Sequence, residues 1–255
     1  MHLKLTILIT QFAFLSFLSA QKIDTISITS KNLQLQRITD CASQYLVFNK
    51  SSESAPAKGM YLVNIKISKK LYNNSPSIFI DQQWDQDTVI HSANTIFSGN
   101  DLTTLLHQYY WKRKGYATKF NFEDKTVSFE GSVSDSIKIK VQREFDESLT
   151  SFSLNWHSDL FVFSLLPLKL NTVFKINFYD PGFGKPKEVL YTVLGKESLK
   201  TSSGKQIKCW LLETRPNAKS YQKFWISQTT FEVIKEEDFF NNSYRFKLKI
   251  EAPLM

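Results

Sequence analysis

A two-residue rhythm constrains this chain more than any other feature. Tyr244, Phe246, Leu248 and Ile250 alternate with Arg245, Lys247 and Lys249. Ile137, Ile139 and Val141 alternate with Lys138, Lys140 and Gln142; Val63, Ile65 and Ile67 with Asn64, Lys66 and Ser68; Phe174, Ile176 and Phe178 with Lys175 and Asn177. Successive side chains of a strand point to opposite faces, so each stretch predicts a strand with one oily and one wet face. Antiparallel strands that cover a core on one side carry this pattern. The fold class expected is mainly β, α+β at most.

Further strands are expected over 23–29, 45–48, 77–80, 88–97, 117–122, 126–130, 188–194, 207–213, 221–226 and 231–236. Asp180-Pro181-Gly182-Phe183-Gly184-Lys185-Pro186 and Ser202-Ser203-Gly204-Lys205 supply turn chemistry between them. Ser51–Lys58, rich in Ser with Pro56, is the expected mobile loop. Ser158–Leu166 breaks the rhythm: it opens on a capable N-cap with an acidic first turn and closes at Pro167. A short buried helix is favoured there over a buried strand, and Asn32–Ala42 is ambiguous in the same way. Asp101–Leu106 and Ser227–Ile234 echo one another as Thr-Thr turns leading into strands, by chance or as two related half-sheets.

Residues 1–20 give the expected address. Lys4, an apolar run from Leu5 to Leu18 and a Ser19-Ala20-Gln21 exit read as a cleaved secretory leader, too short for a membrane span. No cysteine near the junction offers a site for a lipid anchor. The mature chain, residues 21–255, is then expected to be one β-rich domain, periplasmic or secreted, with no transmembrane span. About 235 residues bury roughly 70–75% of the surface an unfolded chain exposes, so no metal or disulfide is needed to hold a core. Cys41 and Cys209 would be able to pair in an oxidising compartment; the alternative is two buried free thiols.

The net charge of +8 is explained either by lysines on solvated strand faces, the favoured reading, or by a surface that attracts anions. No basic cluster is interleaved with stacking aromatics, so nucleic acid is not expected as a partner. His91, His107 and His157 have no zinc spacing. No nucleophile elbow, P-loop or dinucleotide fingerprint is present, so no catalytic residue, metal or cofactor is assigned. His157-Ser158-Asp159 is read as a capping motif, because a triad is assembled from distant positions. Asp81, Asp85 and Asp87 near Trp84 suggest either a sugar site or, more commonly, an Asp-rich turn.

Several segments carry a resemblance. They are Leu166-Pro167-Leu168-Lys169, Phe178-Tyr179-Asp180-Pro181-Gly182, Tyr191-Thr192-Val193, Gly195-Lys196-Glu197, Cys209-Trp210-Leu211-Leu212-Glu213, Phe224-Trp225-Ile226-Ser227 and Glu232-Val233-Ile234-Lys235. Together they resemble a bacterial envelope family of unknown function whose fold is similar to the periplasmic lipoprotein-carrier (LolA/LppX-like) proteins. The resemblance implies a large curved antiparallel sheet, an unclosed barrel around a short apolar helix, with a groove that holds acyl chains. Trp156, Phe161, Phe163 and Leu166 are the candidates for lining that groove; otherwise they fill the core.

Three functions are in play. One is a binding protein for a hydrophobic or amphipathic ligand, a lipid or a lipid-modified protein. Another is an envelope structural or interaction module that contacts a protein partner. The weakest is a hydrolase, which requires His107 or His157 within reach of a carboxylate and a hydroxyl.

Overall fold

The computed structural model describes residues 23–250 apart from 183 and 202; the expected leader lies outside the described residues. After a short edge strand β1 (Asp24–Ser27), a first meander runs through β2 (Cys41–Lys50), β3 (Lys58–Tyr72), β4 (Ser75–Asp85), β5 (Val89–Ser98), β6 (Thr104–Trp111), β7 (Tyr116–Asn121) and β8 (Thr126–Glu130). Helix α1 (Asp135–Ser148) and helix α2 (Asp159–Ser164) follow. A second meander comprises β9 (Thr172–Phe178), β10 (Lys187–Lys200), β11 (Gln206–Asn217), β12 (Ser220–Ser227), β13 (Val233–Phe240) and β14 (Ser243–Ile250). The strands join in one sheet of order β1-β9-β10-β11-β12-β13-β14-β2-β3-β4-β5-β6-β7-β8. Pairing is antiparallel throughout except for β1 beside β9. The edges β1 and β8 do not pair, so the sheet is not closed.

The two meanders meet at β14–β2 and share a turn. In the β5–β6 connection Leu102 N–H donates to Ser98 O, Ser98 N–H to Thr103 O, and Leu102 has φ +57°. In the β12–β13 connection Phe231 N–H donates to Ser227 O, Ser227 N–H to Glu232 O, and Phe231 has φ +60°. Each turn joins the fourth strand of its meander to the fifth. The echo in the sequence therefore marks equivalent corners of two half-sheets.

Helix α2 and the chain around it plug the inner face. Val162, Phe163, Leu165 and Leu166 are fully buried there. The Phe163 ring meets Phe224 edge-on at 4.7 Å, an arrangement aromatic quadrupoles prefer, and Tyr191 at a tilt at 4.9 Å. The last carbonyls of a helix lack partners within it, and Arg37 supplies one here. Its Nη1 donates to Ser164 O at 3.1 Å and Leu166 O at 3.0 Å, while the guanidinium lies over the Phe231 ring. Asn32–Ala42 resolves accordingly into a 3-10 turn (Leu35–Arg37) followed by the start of β2. Arg37→Met keeps the stem but removes both charge-assisted bonds. It should cost about 1–3 kcal/mol in chemical denaturation.

Two expectations are corrected. Ile137–Val141 is not a strand but the first half of α1. Val141, Phe145 and Leu149, at four-residue spacing, pack on Phe120 and Phe122 of the sheet, and Ile139 is left exposed. That helical face outweighs the three-residue alternation. Gln142 also accepts a bond from Val127 N–H of edge strand β8 at 3.2 Å, covering a donor that would otherwise invite another strand. The second correction concerns β14. Tyr244, Phe246 and Leu248 lie on the outer face, and Arg245 and Lys247 turn inward, Lys247 being only 7% exposed. The pattern of β14 was legible, but its polarity is inverted. On β3 and β9 the expected polarity holds, with Val63, Ile65, Phe174 and Ile176 buried and Lys66 exposed.

Candidate functional site

The inward basic face of β14 is matched strand by strand. Register places Lys247 opposite Glu236 and Arg245 opposite Asp238. Lys247 Nζ meets Glu236 Oε2 at 2.6 Å; Arg245 bonds Asp238 through Nε at 2.7 Å and reaches Glu236 Oε1 at 3.3 Å. Gln222 of β12 donates to Asp238 at 3.2 Å. Helix α2 contributes Asp159 from above. Of these groups Asp159, Gln222, Arg245 and Lys247 line a cavity of about 620 Å³, with Glu236 and Asp238 behind the two cations; its walls include Trp156, Phe178, Val189, Tyr191 and Asp180, and Lys187, Glu188 and Arg215. The volume falls within the range of small-molecule sites, and an apolar wall with a few convergent polar groups is their usual make-up.

Burial governs the electrostatics. Burial raises Asp159 to about 7 against the pull of Lys247, and raises Asp238 to about 7, helped by Glu236 and opposed by Arg245. Glu236 is also pushed up by burial, but Lys247 and Arg245 outweigh it and hold the carboxyl below its ordinary value. Asp180 rises to about 6 by burial, tempered by the Trp156 N–H, which donates to it at 3.0 Å. The lining therefore presents two cations, Arg245 and Lys247, backed by Glu236 and Asp238, and two carboxyls, Asp159 and Asp180, poised near neutrality. It can accept or donate hydrogen bonds to a polar head as protons shift.

On the other side of α2 the three distant histidines come together. His91 and His157 share a bond between Nε2 atoms at 2.7 Å, one ring donating to the other, and the His107 ring centroid lies 5.0 Å from that of His157. His107 Nδ1 is bonded to Thr95 Oγ1 at 2.8 Å. Trp84 stacks on His91 and Trp156 on His157. The Gln82 amide donates to His157 O. The segment from 156 to 159 thus bridges two polar spots, His157 facing the first meander and Asp159 the second. Among the described residues no hydrogen bond links His107 or His157 to a carboxylate. Among the described residues no group of three or more His, Cys, Asp or Glu side chains is arranged to hold a metal ion.

Burial holds His107 at about 3 and, with the neighbouring His107, His91 at about 3; burial, helped by His107 and His91, holds His157 well below its usual value. A depressed histidine stabilises the fold above its unfolded pKa near 6.5, and that contribution is lost as pH falls toward about 3. The raised Asp159 and Asp238 work in the opposite sense: their contribution is full below about 3.8 and lost as pH rises through 7. Proton NMR of the imidazole C–H signals should show no titration of His91 or His107 between pH 8 and 5. A midpoint near 6.5 for either would contradict their neutral burial.

The sequence candidates separate. Trp156 is half-buried and lines the cavity. Phe161, 6% exposed, borders a smaller one of about 310 Å³ beside Arg37 and Tyr45. Phe163 and Leu166 lie wholly within the core. Cys41 and Cys209 are both free, on β2 and β11, four strands apart in the sheet. At about 4.8 Å per strand that is roughly 19 Å, beyond the ~7 Å a disulfide spans, so the pairing that the sequence left open is not made. Trp84 points inward while Asp81 and Asp85 face outward, so indole and carboxylates do not share a sugar site. The ionic floor was missed. Its sequence signal was the matched alternation of Glu236 and Asp238 with Arg245 and Lys247 in adjacent strands.

No helix among the described residues is long and apolar enough to cross a membrane, which says nothing of a β-barrel. A family model described as a protein of unknown function (DUF3108) matches residues 53–249. No curated protein matches the chain. Among solved structures, a DUF1329 family protein from Desulfovibrio piger is similar at 11% identity over 89% of each chain, with a TM-score of 0.27.

Proposed function

Because the chain belongs to the DUF3108 family, whose function is unknown, we propose from the geometry that it is an extracytoplasmic binding protein for an amphipathic ligand, a lipid or a lipid-modified protein. One observation carries this: the open sheet keeps a 620 Å³ cavity on its inner face that is aromatic on its walls and ionic at its floor. Phe178, Val189 and Tyr191 receive the apolar part, and Arg245, Lys247 and Asp180 meet the head. The leader-like segment at residues 1–20 supports periplasmic or secreted location.

The test is displacement of a fluorescent long-chain fatty acid by unlabelled fatty acid. Wild type should bind saturably. Val189→Trp, which fills the cavity, should weaken binding at least about tenfold while leaving the far-UV CD unchanged. Equal affinity in the two proteins would refute the assignment.

A second reading, an envelope interaction module that contacts a protein partner, is favoured by the outer face. Phe48, Phe246, Tyr244 and Phe239 form a row of ring contacts there.

A further inference from the structure

A second cavity, of about 730 Å³, lies on the outer face of β2–β6, across the sheet from the plug. Register defines its surface. One row across the five strands reads Gln44, Asn64, Gln83, Ser92, Tyr110; the adjacent row reads Ala42, Lys66, Asp81, Asn94, Gln108. Lys66 and Asp81 are its only charged lining residues, and they stand opposite one another. The site is thus close to neutral and rich in amides.

The amides are held in place. Gln44 Nε2 donates to Asn64 Oδ1 at 2.8 Å, and Asn64 Nδ2 to Asp85 Oδ2 at 2.7 Å. Gln83 Nε2 donates to Asp85 Oδ1 at 2.8 Å, and Asn94 Nδ2 to Asp81 Oδ1 at 2.5 Å. Each such bond fixes an amide plane and leaves that group further donors or acceptors facing out. Solvation of a sheet face does not need this, since mobile lysines and glutamates serve that end. Nor does the fold need it: on the second meander the outer face carries Leu199, Ile207, Cys209, Leu211 and Trp225 instead.

We propose that this outer channel binds a neutral carbohydrate chain. Sugar hydroxyls both donate and accept, which matches fixed amides and carboxylates, and the exposed Tyr110 ring, 37% accessible, offers an apolar surface for a sugar face. The absence of net charge across the lining disfavours nucleic acid, which needs a basic track. The scarcity of apolar anchors disfavours a protein hot spot. The proposal does not depend on the inner cavity.

The experiment is NMR titration of the nitrogen-15-labelled protein with hexamers of α-1,4-glucose, β-1,4-glucose and N-acetylglucosamine. At least one hexamer should shift the side-chain amide signals of Gln83, Asn94 and Gln108 saturably at millimolar concentration or below. The Gln83→Ala/Asn94→Ala double variant should weaken that binding at least about tenfold, and Val189→Trp should leave it unchanged. No shift with any hexamer at millimolar concentration, or shifts that persist in the double variant, would overturn the proposal.

Discussion

Replacing Lys247 with Met should destabilise the protein by about 3–5 kcal/mol in urea denaturation, because Glu236 is left as a buried carboxylate without its nearest cation. Lys247 and Glu236 are 7% and 1% exposed and 2.6 Å apart, and Glu236 does not line the cavity, so its carboxylate stays buried when the ammonium is gone. The effect should be unequal across the chain. Lys66→Met, on the outer face, should fall within about ±0.5 kcal/mol. Adding Glu236→Gln to Lys247→Met should restore much of the loss, since a neutral amide does not need the ammonium. If Lys247→Met were as mild as Lys66→Met, the inward orientation of β14 would be wrong.

A loss of similar size is expected from Phe163→Ala, about 3–5 kcal/mol. For a domain of this size that lowers Tm by about 6–20 °C in a thermal melt. The ring is fully buried between Phe224 and Tyr191, and those strands cannot collapse into the gap without giving up their ladder. Arg37, which holds the end of the same helix, should act more weakly because its side chain is only partly buried.

These two residues also show what the sequence made legible. Phe163 sits in an apolar run that opens on Ser158-Asp159 and closes at Pro167, signals that act over a few residues, and a buried helix forms there although Ser158 Oγ donates to Asn155 O instead of capping it. Strand alternation likewise predicts the sheet, but alternation has no sign. Nothing local in Tyr244–Ile250 says which face turns inward. The answer lies in the pairing of β14 with the acidic face of β13, a contact between strands. Ile137–Val141 shows the same limit from the other side, because its period-2 run is too short to compete with Phe145 and Leu149 on a helical face. The histidine cluster was illegible for a different reason. His91, His107 and His157 come from β5, β6 and the turn before α2, and only the packing of that turn on the sheet brings them together. Of the site itself, Trp156 was found through its place beside the apolar segment, whereas Asp159, Arg245 and Lys247 needed the tertiary fold.

The inner cavity is the point on which the functional account turns, and photocrosslinking tests it most directly. A fatty acid carrying a diazirine near its methyl end, irradiated with the full protein and mapped by peptide mass spectrometry, should label the segments holding Phe178 and Val189–Tyr191, with Trp156 at the rim. Unlabelled fatty acid should suppress the adducts. Labelling concentrated instead on Phe48, Phe239 and Phe246 of the outer face, or unaffected by competitor, would contradict a ligand held under the open sheet.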